Sequence, residues 1–366
     1  MEIFRDWLLN NGVSPEQILY LNFEDYDNIE LRNPLALHQY IKPLILSDKP
    51  TYIFFDEIQH VKDFPDIINS INLKPNVDLY VTGSNAYMLS NEIATLLSGR
   101  YVEIAMLPLS FKEYVQGCGG SDNLEKAYTN YITQSSFPYT LALDRPKDIT
   151  DYLNGVYNTV VMKDIISRKK IQDVMMLESV IRFVADNIGN MLSTKRIADI
   201  MTADGRKIDQ KTVEKYLTSL CDTFFVYEAK RYNVKGKQLL KTLGKYYLVD
   251  VGLRRMLLGG RSFDAGRLLE NVVYLELLRR QKSVYIGKID NLEVDFVAID
   301  ENDIVYYQVA ATVRDEATLK RELSSLQQIN DQYPKYILTL DEDPEADYDG
   351  IKRINALKWL MGEYSI

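Results

Sequence analysis

Histidine is scarce in this chain: His38 and His60 are the only two among 366 residues. A zinc centre built on histidine is excluded on that count. Cysteine is equally scarce. Cys118 and Cys221 lie far apart, and neither has a metal-type neighbour, which fits two reduced thiols in a cytosolic protein. No apolar run approaches the ~20 residues that a membrane-spanning helix needs. The opening Met1-Glu2-Ile3-Phe4-Arg5-Asp6 lacks the form of a signal peptide. A cytoplasmic location without membrane contact is therefore expected. Internal repeats and low-complexity segments are also missing. So is the phosphate-cradling loop Gly-x-x-x-x-Gly-Lys-Ser/Thr: Gly236-Lys237 continues with Gln238, and Gly244-Lys245 with Tyr246.

What is present is an ordinary globular composition, 46% hydrophobic and 26% charged. At this length two to four domains are expected, because single cores rarely exceed ~250–300 residues. The net charge of −9 argues against indiscriminate nucleic-acid binding by the whole molecule. The charge is unevenly placed, however. Residues 195–245 hold twelve Lys/Arg against six Asp/Glu, a local balance of +6.

The most informative stretch is Tyr52-Ile53-Phe54-Phe55-Asp56-Glu57. Four apolar or aromatic residues running into two acids have the pattern of a parallel strand covered on both faces. The carboxyl end of such a strand is where an open α/β sheet places its ligand. Asp56 there would hold Mg²⁺ through water, and Glu57 would orient or deprotonate an attacking water. A buried strand that merely ends in solvated acids is the plainer reading. The continuation favours the first. Leu79-Tyr80-Val81-Thr82-Gly83-Ser84-Asn85 is a second strand with a small polar end, placing Ser84 and Asn85 within reach of a γ-phosphate or lytic water. Leu97-Ser98-Gly99-Arg100 leads into the apolar run 101–106, Pro108 stops it, and Ser110 can cap a helix.

Asp-Glu, then Thr-Gly-Ser-Asn, then Gly-Arg with Leu-Pro-Leu-Ser, in this order, resembles a family of bacterial and archaeal AAA-type P-loop ATPases. Its members carry a long C-terminal region of poorly defined function, and the likeness covers nearly the whole chain. It implies a P-loop parallel sheet over residues 1–112, ATP and Mg²⁺ as cofactors of the full-length form, and Arg100 as an arginine acting on the nucleotide. Ile3, Phe4, Trp7 and Leu8 recur at helical spacing before Asn11-Gly12. In that family such a helix follows the phosphate-loop lysine. The chain is thus expected to begin inside that helix, without the first strand and the phosphate loop. Alternatively, Met1 is the true start and the protein is a degenerate ATPase. The strand that is lacking would lie between the one ending at Thr82 and the one near Ile104. Its absence leaves two open edges, which should close on each other, borrow a strand from another chain in a homo-oligomer, or stay poorly ordered. Residues 113–177 are expected to be a helical lid, with Arg145 or Arg168 as weaker candidates for an arginine finger.

Residues 178–260 have the pattern of a winged helix-turn-helix. A first helix spans about 178–187, Ser193 or Thr194 caps a second, and Asp209 or Gln210 opens a third. Lys211 and Lys215 project from the third helix at i, i+4 spacing. The run from Lys230-Arg231 through Lys235 and Lys237 to Lys241, centred on Gly236, sits where a wing belongs. Such a module would bind duplex DNA through the third helix in the major groove and the wing on phosphates. Winged helices also serve as protein-contact modules.

Residues 261–366 look like a PD-(D/E)xK core, a restriction-endonuclease-like α/β domain. Glu270 on a helix and Asp295 on the strand Leu292–Ala298 match the positions that hold Mg²⁺ in that core. Where the pattern wants acid-x-Lys, this chain has Gln308-Val309-Ala310. Gln308 is neutral and Ala310 cannot touch water or phosphate, so a nuclease-like fold without nuclease activity is expected. The whole chain reads as an α/β multidomain ATP-binding protein whose work touches DNA. The rival reading is a non-enzymatic regulator that binds DNA or a protein.

Overall fold

A computed structural model describes residues 1–83, 97, 100–166, 171–260, 264–301 and 303–364, with the side chains at 161–164 and 241–242 left aside. The chain folds as two compact units, Met1–Ile104 and Ala105–Ile366.

The first unit is a three-stranded parallel sheet flanked by helices. Its elements are α1 (Glu2–Asn10), β1 (Ile18–Asn22), α2 (Pro34–Ile41), β2 (Thr51–Asp56), α3 (Phe64–Asn72) and β3 (Val77–Val81). The sheet order is β1-β2-β3, with Tyr20 opposite Phe54 and Phe54 opposite Tyr80. The buried centre of β2 explains the run of apolar residues: Ile53 and Phe55 face the core that α2 and α3 close with Leu37, Ile41, Ile67, Ile68 and Ile71. On the other face Phe54 stacks on Tyr80 at 5.1 Å, and Phe4 of α1 meets the Phe54 and Tyr80 rings edge-on at 6.0 and 5.1 Å. That cover is incomplete, for Ile3 stays 88% and Trp7 56% exposed.

The strand expected near Ile104 does not form. Residues 101–106 carry no strand pairing, and Val102, Ile104 and Met106 are exposed. A β-strand exists through its neighbours, and among the described residues β3 has a hydrogen-bonded partner on one side only.

The second unit begins with helices α4 (Phe111–Gly117), α5 (Leu124–Thr133) and α6 (Pro146–Tyr157), the last running on into a π-type turn at Asn158–Ile166. Then come α7 (Val174–Asp186), α8 (Thr194–Ala203) and α9 (Gln210–Asp222). Ser193 caps α8 through the Arg196 N–H, and Asp209 caps α9 through the Thr212 N–H. Strands β4 (Val226–Asn233) and β5 (Gln238–Leu248) form a hairpin. It is followed by α10 (Val251–Leu258), α11 (Ala265–Arg279), β6 (Ser283–Ile289), β7 (Leu292–Asp300), β8 (Asp303–Ala310), α12 (Glu316–Gln327), β9 (Lys335–Thr339), β10 (Ala346–Tyr348), β11 (Ile351–Asn355) and α13 (Ala356–Met361).

The hairpin is continuous with the C-terminal strands. All eight strands make one mixed sheet, in the order β10-β11-β9-β8-β7-β6-β4-β5, and β4 runs parallel to β6 from Arg231 opposite Ile286. Helix α11 packs on this sheet and is buried without interruption from Leu268 to Leu277. Its polar residues therefore need partners. Asn271 finds both of them on Leu248, donating to the carbonyl at 2.9 Å and accepting from the N–H at 2.9 Å. Among the described residues no helix is long and apolar enough to cross a membrane.

Candidate functional site

Two groups of acids stand at strand ends or on helix faces in the way the sequence suggested. The first is at the carboxyl end of β2. Asp56 accepts from Thr82 Oγ1 at 2.5 Å and from the Tyr20 hydroxyl at 3.0 Å, so side chains from β1 and from just past β3 meet on it. Burial, and then the bond to Asp56, push the Tyr20 phenol up to about 12. It stays a donor at every physiological pH. Glu57 turns away from the strand in left-handed backbone, φ 55° and ψ 46°. That conformation is uncommon for a residue with a side chain and is found at functional turns. Its N–H donates to Thr82 Oγ1 at 3.1 Å, and its carboxylate accepts from Gln59. Carboxylate oxygens of Glu24 and Glu57 and a ring nitrogen of His60 come within 4.8 Å of one another.

Asp56 with the Thr82 hydroxyl fits the water-and-metal side of a nucleotide site. The phosphate side asks for a Gly-Lys-Ser/Thr loop, and this sequence holds none. Ser84, Asn85 and Arg168 lie outside the described residues. Arg100 is exposed, at the head of the unpaired run 101–106. Arg145 is an exposed helix-start residue paired with Asp148 at 2.7 Å.

The second group sits where α11 crosses the eight-stranded sheet. Glu270 and Asp295 do come together, but through a residue that the sequence did not single out. Lys245 of β5 places Nζ 2.8 Å from Glu270 Oε1, 2.7 Å from Glu293 Oε1 and 3.3 Å from Asp295 Oδ1. The Tyr247 hydroxyl, two residues on and hence on the same face of β5, donates to Glu270 Oε1 at 2.6 Å. Asp295 Oδ2 accepts from the Val309 N–H at 2.9 Å. Gln308 turns its amide inward, accepting from the Asp295 N–H at 2.6 Å and donating to Glu322 Oε2 at 2.8 Å. Burial raises the Glu270 carboxyl to about 7, against the pull of Lys245. Burial also works against charge on Lys245, but the carboxylates of Glu270, Asp295 and Glu293 outweigh it and hold the ammonium above its ordinary range. One signal could have flagged Lys245 in the sequence: a lone lysine set beside Tyr246, Tyr247, Leu248 and Val249, inside a strand otherwise fit for burial.

The basic residues are dispersed by the same sheet. Lys211 and Lys215 are exposed on α9. Lys230 and Arg231 lie on β4, which is flanked on both sides by strands, and Lys235 pairs with Asp290 at 2.5 Å. Lys237 is exposed at the hairpin turn with φ 48°.

An AAA domain family matches residues 2–115, and a domain of unknown function (DUF8612) matches residues 125–264. An uncharacterized protein of Haemophilus influenzae is 38% identical over 362 residues, 98% of this chain and 90% of that protein. The chain belongs to that protein's family. An uncharacterized protein of Methanocaldococcus jannaschii is 28% identical over 305 residues, 78% of this chain and 67% of that protein. Among solved structures, a Walker-type ATPase of Pyrococcus abyssi is similar at a TM-score of 0.40 and 14% identity, over 69% of this chain and 75% of that one, a likeness too slight to bear on the fold. The AAA-domain match falls on the N-terminal part of the chain and supports an ATPase-like character there.

Proposed function

We propose that Asp56 and Glu57 are the nucleotide-side acids of an ATP-dependent module, and that the C-terminal unit is its effector, contacting duplex DNA without cutting it. One observation carries the first half. The carboxylate that ends the central strand is oriented by the hydroxyl of Thr82, just past the end of the neighbouring strand, at 2.5 Å. This is the arrangement by which a strand-end aspartate would hold a hydrated Mg²⁺. Glu57, one residue on and turned out of the strand, is the group that would orient water. The sequence holds no Gly-Lys-Ser/Thr loop to grip the phosphates, so weak nucleotide binding is expected. The test is calorimetry and turnover with Mg-ATP on the parent, Asp56→Asn and Glu57→Gln. Binding weaker than micromolar is the expected result. Asp56→Asn should remove the Mg²⁺ dependence of whatever binding remains, and Glu57→Gln should keep binding but lose any turnover. Parent-rate turnover in Glu57→Gln, or micromolar binding unmoved by Asp56→Asn, would overturn the assignment.

The DNA half is supported by the local +6 charge of residues 195–245 and by the exposure of Lys211 and Lys215 on one face of α9. Because Lys235 is held by Asp290, we assign the main contact to α9 and a lesser one to the hairpin. Replacing Lys211 and Lys215 by Ala should flatten the salt dependence of duplex binding by about 0.9 log unit of slope for each phosphate no longer neutralised. Replacing Lys230, Arg231, Lys235 and Lys237 should do less. No binding by the parent near ~50 mM salt, where phosphate contacts are strong, would make this surface a protein-contact module. Among the described residues β3 is an edge of its sheet, which supports self-association by strand pairing, and sedimentation at rising concentration would detect it.

A further inference from the structure

The nuclease-like likeness of residues 261–366 leads one to expect a divalent ion between Glu270 and Asp295, and the residues here do not fit one. The three carboxylates of Glu270, Glu293 and Asp295 are gathered around the Lys245 ammonium, at 2.8, 2.7 and 3.3 Å, and not around one another. Among the described residues, the acid and histidine atoms close enough to share an ion are those of Glu24, Glu57 and His60, none of them in this group. The other lone pairs are partly spoken for as well. Glu270 Oε1 also takes the Tyr247 hydroxyl, and Asp295 Oδ2 takes the Val309 N–H. Gln308, which stands at the third acid position, spends both ends of its amide on the Asp295 N–H and on Glu322. The Lys245 side chain is 4% exposed, so its charge is shielded from bulk solvent.

We propose that the Lys245 ammonium takes the place of the divalent cation: a tethered charge, delivered from β5 to acids on α11 and β7, that locks three elements together and covers a latent metal site. The physical reasons are size, charge and reach. The ammonium has three donors; here it hydrogen-bonds Glu270 at 2.8 Å and Asp295 at 3.3 Å and pairs with Glu293 at 2.7 Å. An intramolecular cation needs no metal supply. It is anchored on a strand whose neighbouring Tyr247 holds the same carboxylate. Remove the ammonium and three carboxyl groups, that of Glu270 buried and those of Asp295 and Glu293 partly exposed, are left without their cation, an all-oxygen donor set of the kind that suits Mg²⁺, Mn²⁺ or Ca²⁺. The geometry stands without the nuclease likeness, which supplies only the expectation of a metal.

The experiment uses the full chain and Mn²⁺ alone as the probe, read by thermal melting and by the loss of the free-Mn²⁺ paramagnetic signal. In the parent, millimolar Mn²⁺ should change neither the melting temperature nor the Mn²⁺ signal in any way that Asp295→Asn reverses. Lys245→Met should melt lower in chelator and recover by roughly 2–4 °C or more when Mn²⁺ is added. Adding Asp295→Asn to that variant should abolish the recovery. Mn²⁺ bound by the parent and lost in Asp295→Asn would overturn the proposal. So would Mg²⁺-dependent nicking of supercoiled plasmid by the parent that vanishes in Asp295→Asn, since Lys245 would then be the lysine of a working nuclease. A Lys245→Met protein that folds and stays blind to Mn²⁺ would also overturn it. Should that variant fail to fold, the parent and Asp295→Asn titrations decide alone: Asp295-dependent Mn²⁺ binding sinks the proposal, and its absence upholds it. Failure here leaves the nucleotide reading untouched, because Asp56 and Glu57 lie in the other unit.

Discussion

Single side chains in this protein are sorted mainly by how much water they keep. The two cysteines are a clear case. Cys118 is exposed just past α4, whereas burial, and then the charges of Glu228 and Asp222, push the Cys221 thiol up to about 12. At about pH 8 only ~10⁻⁴ of Cys221 would be thiolate, the form that reacts. Native alkylation with iodoacetamide, followed by mass spectrometry, should therefore modify Cys118 fully while Cys221 stays nearly unlabelled until denaturant is added. Equal rates at the two sites would show that Cys221 is reached by solvent. The same logic explains why Lys245 had no functional meaning in the sequence. A lysine in a strand normally points to water or snorkels, and nothing local says that Glu270, 25 residues on, and Asp295, 50 residues on, will close over it. Glu270 and Asp295 were readable because acids on a helix and on a β-hairpin form a known spacing. Their partner was not readable, because it arrives by tertiary register.

Helix starts are the elements that local sequence determines best. Ser193 and Asp209 both cap where a small oxygen-bearing side chain precedes a helical apolar stripe, and Ser110 does the same for α4. At Ser110 the motif is a full capping box. Ser110 donates its N–H to Glu113 Oε2 at 2.8 Å, and its hydroxyl accepts from the Glu113 N–H at 3.1 Å. The Ser110 N–H, joined by its hydroxyl and opposed by burial, holds the Glu113 carboxyl below its ordinary 4.5. A depressed carboxyl stabilises the fold above its unfolded pKa, and that contribution is lost as pH falls through the lower, folded value. Glu113→Gln should therefore unfold more easily than the parent near neutral pH, and the gap should close as pH falls below about 4.5. Urea titrations of both proteins at several pH values would check this, and a gap that widens in acid would refute it. Strands were less legible than caps. The Lys-rich run after Lys230 reads locally as a solvated wing, yet β4 and β5 extend through it as far as a turn at Val234–Lys237. Paired neighbours on both sides of β4 override its local polarity. The run 101–106 has the composition of a strand and forms none, for want of a partner.

At the scale of the whole molecule, the unit 105–366 is held together by interactions that cross residue 260, where the sequence suggests a boundary between winged helix and nuclease-like core. Strand β4 pairs with β6, Leu248 of β5 is bonded at both N–H and C=O by Asn271 of α11, and Arg267 of α11 donates to the Asp186 carbonyl of α7 at 3.5 Å. Lys245 adds its ion pairs to Glu270, Glu293 and Asp295. A fragment starting at 261 would lack β4 and β5 and so leave the edge of β6 open. It would also leave Glu270 buried without its cation, and breaking a buried pair from one side costs about 3–5 kcal/mol. Against a typical domain stability of about 5–15 kcal/mol, that cost joins those of Asn271 and of the strand pairing and should be fatal. Residues 105–366 are thus expected to melt in one cooperative transition, whereas 261–366 and 178–260, each made alone, should give no cooperative melt and poorly dispersed amide spectra. Mixing the two fragments in solution could restore the sheet by strand pairing, but only with Lys245 intact. A cooperative melt from 261–366 alone would mean that the nuclease-like core is an independent domain, and that the β4–β6 pairing and the Lys245 cluster join two finished structures and do not complete a single one.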